Sequence, residues 1–214
     1  METVSRDQCL IYDGPPSKKL TVLAGMIRQK LDGGYRCLYL NSAPMVAGIR
    51  SYLSAIDMNV AEEIAKASLI LSSELTTGAK GFDVDLMLFK LEDTLDQALM
   101  DGYKGLWATG DMTWEFGPER DFTKLLEYEH KLEELFRRRP QLSGICQYHR
   151  ETMPHHVMRQ GLLTHQTIFI NETLSSINPY YVHAASPGPG AKNGELDELL
   201  DTLCWVADSN TDDR

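Results

Sequence analysis

The sequence predicts a three-layer α/β domain with a mostly parallel central sheet, and three observations carry that prediction. Strand-like and helix-like segments alternate along the chain, the order that builds parallel sheets. Several of the strand segments are continuously apolar rather than alternating, so helices are expected on both of their faces. Leu106 to Trp114 and Ile145 to Arg150 each run from apolar residues into polar and aromatic ones. In an open α/β sheet, the crevice beyond the strands' carboxyl ends is where ligands bind.

Gln8 to Tyr12 reads as the first strand, ended by Asp13-Gly14-Pro15-Pro16. Ser17 is placed as the cap of a helix whose Leu20, Leu23, Ala24, Ile27 and Leu31 recur at helical spacing. Gly33-Gly34 stops it, as glycine does at helix C-termini. Arg36 to Leu40 is the second strand, and after Asn41-Ser42-Ala43-Pro44 the segment Met45 to Ile56 reads as helix. Ser68 to Ser72 is the third strand. Asp83 to Met100 is a long helix with Leu86, Met87, Phe89, Leu91, Leu95 and Leu99 as its apolar positions. Gly105 to Thr109 is the fourth strand and Leu142 to Tyr148 the fifth. Between them, Asp121 to Arg138 is a helix striped by Phe122, Leu125, Leu126, Leu132, Leu135 and Phe136. Pro154 opens a short helix through Leu163, where proline suits the first turn, and Thr167 to Asn171 is the sixth strand.

At 214 residues and 43% apolar content the chain can bury one sizeable core, placed at residues 1–183. The character changes at Ala184, where Ser186-Pro187-Gly188-Pro189-Gly190 is linker chemistry. Residues 184–214 carry seven acids against two bases, half of the chain's net charge of −10. A flexible acidic tail, dispensable for folding, is expected there, although Leu196, Leu199, Leu200 and Leu203 could line a short amphipathic helix. The acidic balance argues against nucleic acid, which needs clustered Lys and Arg. Arg137-Arg138-Arg139 ends a helix, where it complements the negative pole of the helix dipole. No apolar run approaches the ~20 residues needed to span a bilayer, and polar Met1 to Asp7 is unlike a signal peptide. The expectation is a soluble cytoplasmic protein without membrane contact.

Gly14-Pro15-Pro16-Ser17-Lys18-Lys19 stands where a phosphate-binding loop would supply GxxxxGK[ST]. The second glycine is missing, the loop is short, and Pro15 and Pro16 remove two N–H donors that would cradle phosphate. Asp111, after an apolar strand, resembles a magnesium-holding aspartate but has no phosphate-bound ion to hold. Cys146, His149, His155 and His156 are close in sequence yet lack the paired spacing of a structural zinc site, and there is no CxxCH for haem. No serine sits in a GxSxG elbow and no Cys–His pair has a local catalytic signature. A non-enzyme without metal or cofactor is therefore expected. One alternative is a degenerate nucleotide binder using Asp111 with Lys18 or Lys19. Cys9, Cys37 and Cys146 lie in apolar runs and read as buried, with no CxxC pairing. A thiol switch at Cys146 or Cys9 is the second alternative.

Tyr12, Asp111, Met112, Trp114, Tyr148, His149 and Arg150 compose the candidate ligand site. Aromatic walls with a few polar groups are the usual lining of a small-molecule pocket. Trp107, mid-strand, reads as core, whereas Trp114 and Tyr148 read as partly exposed walls. Glu129 falls one heptad after Phe122 on the apolar stripe of its helix. A buried carboxylate needs a partner or a raised pKa. Glu129 is therefore either a structural hydrogen-bonding group or a polar contact within the pocket.

An ordered series of segments resembles the MEDS domain, the sensory module of methanogens and methylotrophs also found in the dichloromethane-responsive repressor DcmR. It runs through Cys9-Leu10-Ile11-Tyr12, Gly110-Asp111-Met112-Thr113-Trp114, Tyr128-Glu129 with Leu132 and Leu135, Cys146-Gln147-Tyr148-x-Arg150, Leu163-Thr164-His165 and Asn178-Pro179-Tyr180-Tyr181. The resemblance covers residues 7 to 183. It implies a RecA-like or KaiC-like fold without a working phosphate loop, and the sensing of small, hydrocarbon-derived molecules. Gln8 stands where many relatives carry histidine. No kinase or helix-turn-helix follows in the chain, so output is expected through a protein partner (a histidine kinase or transcription regulator) or through a homo-oligomer.

Overall fold

The computed structural model describes residues 7–74, 77–78, 81–112, 122–170 and 173–175. Trp114, the Asn178 to Tyr181 motif and the tail from residue 184 lie outside them. Six parallel strands form the sheet, in the order β3 (Leu69–Ser72), β2 (Arg36–Leu40), β6 (Leu106–Asp111), β7 (Leu142–His149), β1 (Asp7–Tyr12) and β8 (Thr167–Ile170). A seventh, β9 (Thr173–Ser175), pairs antiparallel with β8 at the edge. Helices α1 (Leu20–Asp32), α2 (Ala43–Ala55) and α3 (Val60–Ala65) cover one face. Helices α4 (Val84–Met100), α5 (Thr123–Arg138) and α6 (His155–Thr164) cover the other. This is the α/β layering that the sequence predicts.

Strand side chains alternate between faces, and the two cores follow that alternation. Cys9 and Ile11 of β1, Leu106 of β6 and Cys146 and Tyr148 of β7 face α4–α6. Leu10, Tyr12, Cys37, Tyr39, Trp107 and Ile145 face α1–α3. In α4 the buried Val84, Met87, Leu91, Leu95 and Ala98 lie three or four residues apart, the spacing that keeps one stripe against the sheet. Asp83 caps that helix by accepting from the Leu86 N–H. In α5 the stripe is Leu125, Tyr128, Glu129, Leu132, Leu135 and Phe136, so a carboxylate is carried into the core. Gly34, at φ +83°, ends α1 with the left-handed residue that such a stop requires, and the Tyr35 N–H returns to the Lys30 carbonyl.

Several boundaries differ from expectation. Ser17 is not a helix cap: Pro16–Lys19 is a 3-10 turn, and no side chain caps α1, which begins at Leu20. The Lys18 N–H returns to the Pro15 carbonyl three residues back, which closes that turn. β6 continues to Asp111 and β7 to His149, because polar residues at parallel strand ends still pair their backbones. Two short elements, α3 and the hairpin of β4 (Thr77–Gly78) with β5 (Gly81–Phe82), have no strong apolar period and were not anticipated. Phe89, on the expected apolar stripe of α4, is 66% exposed. It lies outside the stripe through Met87, Leu91 and Leu95.

Candidate functional site

Among the described residues, the candidate ligand residues at the carboxyl ends of β1, β6 and β7 do not form one pocket. Alternation sends Tyr12, Asp111 and His149 to the α1 face, and their sequence neighbours Met112 and Tyr148 to the α4–α6 face. The sheet itself separates the two groups.

On the α1 face the segment after β1 is held by a dense polar lattice. Asp111 Oδ2 accepts from the Tyr12 hydroxyl at 2.8 Å and pairs with Lys19 Nζ at 3.0 Å, with the Lys19 and Asp111 side chains 4% and 7% exposed. The Lys19 ammonium also lies 3.4 Å from the Tyr12 ring centroid, a cation–π placement. Burial lowers the Lys19 amine to about 8, against the opposing pull of Asp111. Burial likewise raises the Tyr12 phenol, reinforced by the Asp111 charge. The His149 ring stacks on Tyr12 at 4.8 Å. Its Nε2 donates to the Gly14 carbonyl at 2.9 Å, leaving Nδ1 to accept from the Thr152 hydroxyl, also at 2.9 Å. The Gly14 N–H donates to Glu151. Arg150 reaches the Asp13 carboxylate at 3.7 Å, while its backbone N–H bonds to the Tyr12 carbonyl. Together these bonds secure both ends of the Gly14–Lys19 segment.

On the opposite face lies a second polar cluster, almost entirely buried. Glu129 of α5 is 1% exposed and accepts a short hydrogen bond from the Tyr148 hydroxyl. Its other carboxylate oxygen stands 3.5 Å from His165 Nε2, and Asp7 Oδ1 stands 3.2 Å from the same nitrogen. His165 is completely buried at the end of α6, with Nδ1 2.7 Å from the Gly161 carbonyl. Burial pushes the Asp7 carboxyl up to about 7 and raises that of Glu129, in both cases against the pull of His165. Burial alone would lower the His165 imidazole, but Asp7 and Glu129 outweigh it and raise its pKa. Cys9 and Cys146 are register partners on β1 and β7 beside this cluster. Burial drives the Cys9 thiol well above its ordinary range, so thiolate is scarce there, which works against redox reactivity at that residue.

Next to Cys146 an apolar cavity of about 30 Å³ lies between the sheet and helices α4 and α5. Leu40, Met87, Ala108, Met112, Leu132 and Cys146 are among its lining residues. It exceeds the roughly 10–15 Å³ that one water needs, yet offers water few polar partners.

Tyr148 is corrected from a partly exposed wall to core, since it is wholly buried. Met112 is core as well, at 1% exposure, although it borders the cavity. Glu129 accepts from the Tyr148 hydroxyl and stands beside His165. His165 and Asp7 were missed as site residues; they become neighbours of Glu129 only through tertiary folding. Gly161 completes the arrangement, because a Cβ there would lie 2.7 Å from the Tyr148 ring. Gly161→Ala should cost about 1–3 kcal/mol in a denaturant melt by overpacking Tyr148. An unchanged midpoint would mean that α6 shifts freely, contrary to this packing.

Known proteins share both the pattern and the fold. The family model for the MEthanogen/methylotroph, DcmR Sensory domain (MEDS) matches residues 8–166. Among solved structures, the KaiC-like protein PH0186 from the hyperthermophilic archaeon Pyrococcus horikoshii is similar, with a TM-score of 0.54 at 11% identity, over 78% of this chain and 71% of that one. The uncharacterised protein PH0321 from the same organism, solved with an unknown peptide, gives a TM-score of 0.55 at 15% identity, over 78% and 77%. At these identities the likeness shows the fold, which is the RecA- and KaiC-like one. Curated proteins give no match.

Proposed function

The chain belongs to the MEDS family, and on that footing we propose that it is a non-catalytic signal-input domain for a small, largely apolar ligand. A sensory role in general follows from the family. The observation that carries the ligand class is the cavity between the sheet and α4–α5, whose lining is overwhelmingly apolar. Such a space favours a hydrocarbon-derived molecule of few heavy atoms over a polar metabolite, because a polar group there would lose its water without replacement. Leu132 and Phe136 of α5 line the cavity, so occupancy can shift that helix. Its exposed side is a route for signal to a histidine kinase, a transcription regulator or a second copy of the chain.

The nucleotide alternative is weakened by the opposite face. Asp111 and Lys19, one of the two lysines it could use, satisfy one another. Mg-ATP should therefore give no melting-temperature rise, where saturation at a hundred times the dissociation constant would add ~2.7 kcal/mol. No described helix is long and apolar enough to cross a membrane.

Ligand uptake is tested by melting the protein with one- and two-carbon alcohols and halocarbons, beside an Ala108→Ile variant that fills the cavity. Wild type should gain stability with at least one compound, and Ala108→Ile should lose that gain while remaining folded. An equal response from both proteins would remove the cavity from the reading.

A further inference from the structure

The enclosed cluster on the α4–α6 face has the chemistry of a metal site. Glu129, Cys146 and His165 each present one ligand atom, and these atoms lie within 4.8 Å of one another. They come from α5, β7 and the end of α6, and none is more than 6% exposed. The imidazole orientation is that of a metal ligand. Nδ1 lies 2.7 Å from the Gly161 carbonyl, which can only accept, so Nδ1 carries a proton. In the neutral ring Nε2, which faces the carboxylates, then holds the lone pair. Metal-binding histidines are held by this same kind of bond from their other nitrogen. Glu129 is also positioned from behind, since the Tyr148 hydroxyl occupies Oε1 and leaves Oε2 toward His165.

We propose that Glu129, Cys146 and His165 bind a divalent transition-metal ion, zinc above all. A mixed carboxylate, thiolate and imidazole set suits zinc or cobalt, whereas calcium and magnesium take oxygen ligands. One carboxylate and one thiolate also balance the charge of a 2+ ion. Loading releases the Cys146 thiol proton to solvent. Asp7, 3.2 Å from His165 Nε2, flanks the ion's position. The site does not depend on the cavity reading, although Cys146 borders both. Sequence spacing argued against a metal because, of the Cys146–His156 span, only Cys146 contributes.

The competing arrangement is an ion pair of His165 imidazolium with Glu129 and Asp7, in which Cys146 has no part. Cobalt distinguishes the two. The reduced full-length chain is stripped with chelator and given Co²⁺ both after folding and during refolding, since the site is closed to solvent. One Co²⁺ should bind per chain, with a near-ultraviolet thiolate-to-cobalt charge-transfer band and the visible bands of a tetrahedral site. Cys146→Ser should abolish the charge-transfer band, Glu129→Gln should weaken binding at least tenfold, and Cys9→Ser should keep both. Circular dichroism identifies the variants that fold. Absence of the band in folded wild type under both loading regimes overturns the proposal. Its persistence in Cys146→Ser, or its loss in folded Cys9→Ser, overturns the ligand assignment.

Discussion

Tyr148→Ala is expected to destabilise the protein as severely as Trp107→Ala, by about 3–5 kcal/mol each. Trp107 is 1% exposed in the core beneath α1, and Tyr148 is 0% exposed in the core beneath α5 and α6. Removing either ring leaves a large void that close-packed neighbours fill only in part. Tyr148 adds a polar cost, because its hydroxyl satisfies Glu129 and its ring meets His165 edge-on at 5.9 Å. Tyr148→Phe isolates that cost: it keeps the ring, removes Glu129's donor, and should lose about 1–3 kcal/mol. Denaturant melts of the three variants provide the comparison. A loss below about 1 kcal/mol for Tyr148→Ala, while Trp107→Ala unfolds readily, would return Tyr148 to an open wall.

The second large effect belongs to the buried ion pair on the other face. Lys19→Met should cost about 3–5 kcal/mol at neutral pH, because it leaves the Asp111 carboxylate buried without its ammonium. Replacing both partners, as Lys19→Met with Asp111→Leu, should restore most of that loss, since apolar substitutes for a buried pair are often neutral. The same residue carries a pH signature. Burial holds the folded Lys19 amine near 8 against 10.5 in the free side chain. Between those values the unfolded chain binds more protons than the folded one, so this group's contribution makes stability rise with pH. That rise, measured as the difference between melts at pH 8 and pH 10, should shrink in Lys19→Met. Equal slopes in both proteins would show that Lys19 is not buried as described.

Much of this architecture was legible along the chain. The apolar runs Cys9 to Tyr12, Cys37 to Leu40 and Leu69 to Leu71 announce a sheet covered on both sides, and the stripe of α5 is plain from Leu125, Leu132 and Leu135. Glu129 was legible as an anomaly, since a carboxylate on an apolar stripe must be buried. The family was legible too, from an ordered series of local motifs that survive without long-range information. The β4–β5 hairpin was not, because two-residue strands carry no period.

The site divides along the same line. Sequence order alone indicated which segments lie near the carboxyl ends of the strands, although β6 and β7 run one or two residues further than their apolar runs suggest. It could not say which of them meet. Asp111 and Met112, or Tyr148 and His149, are covalent neighbours, yet strand alternation places them on opposite faces of the sheet. Asp7, Glu129, Cys146 and His165 are remote in sequence, yet parallel register and the packing of α5 and α6 draw them into one dry cluster. Local propensity fixes where a chain turns. Only the burial of helices against both faces of the sheet decides which charges, thiols and rings must share a space without water.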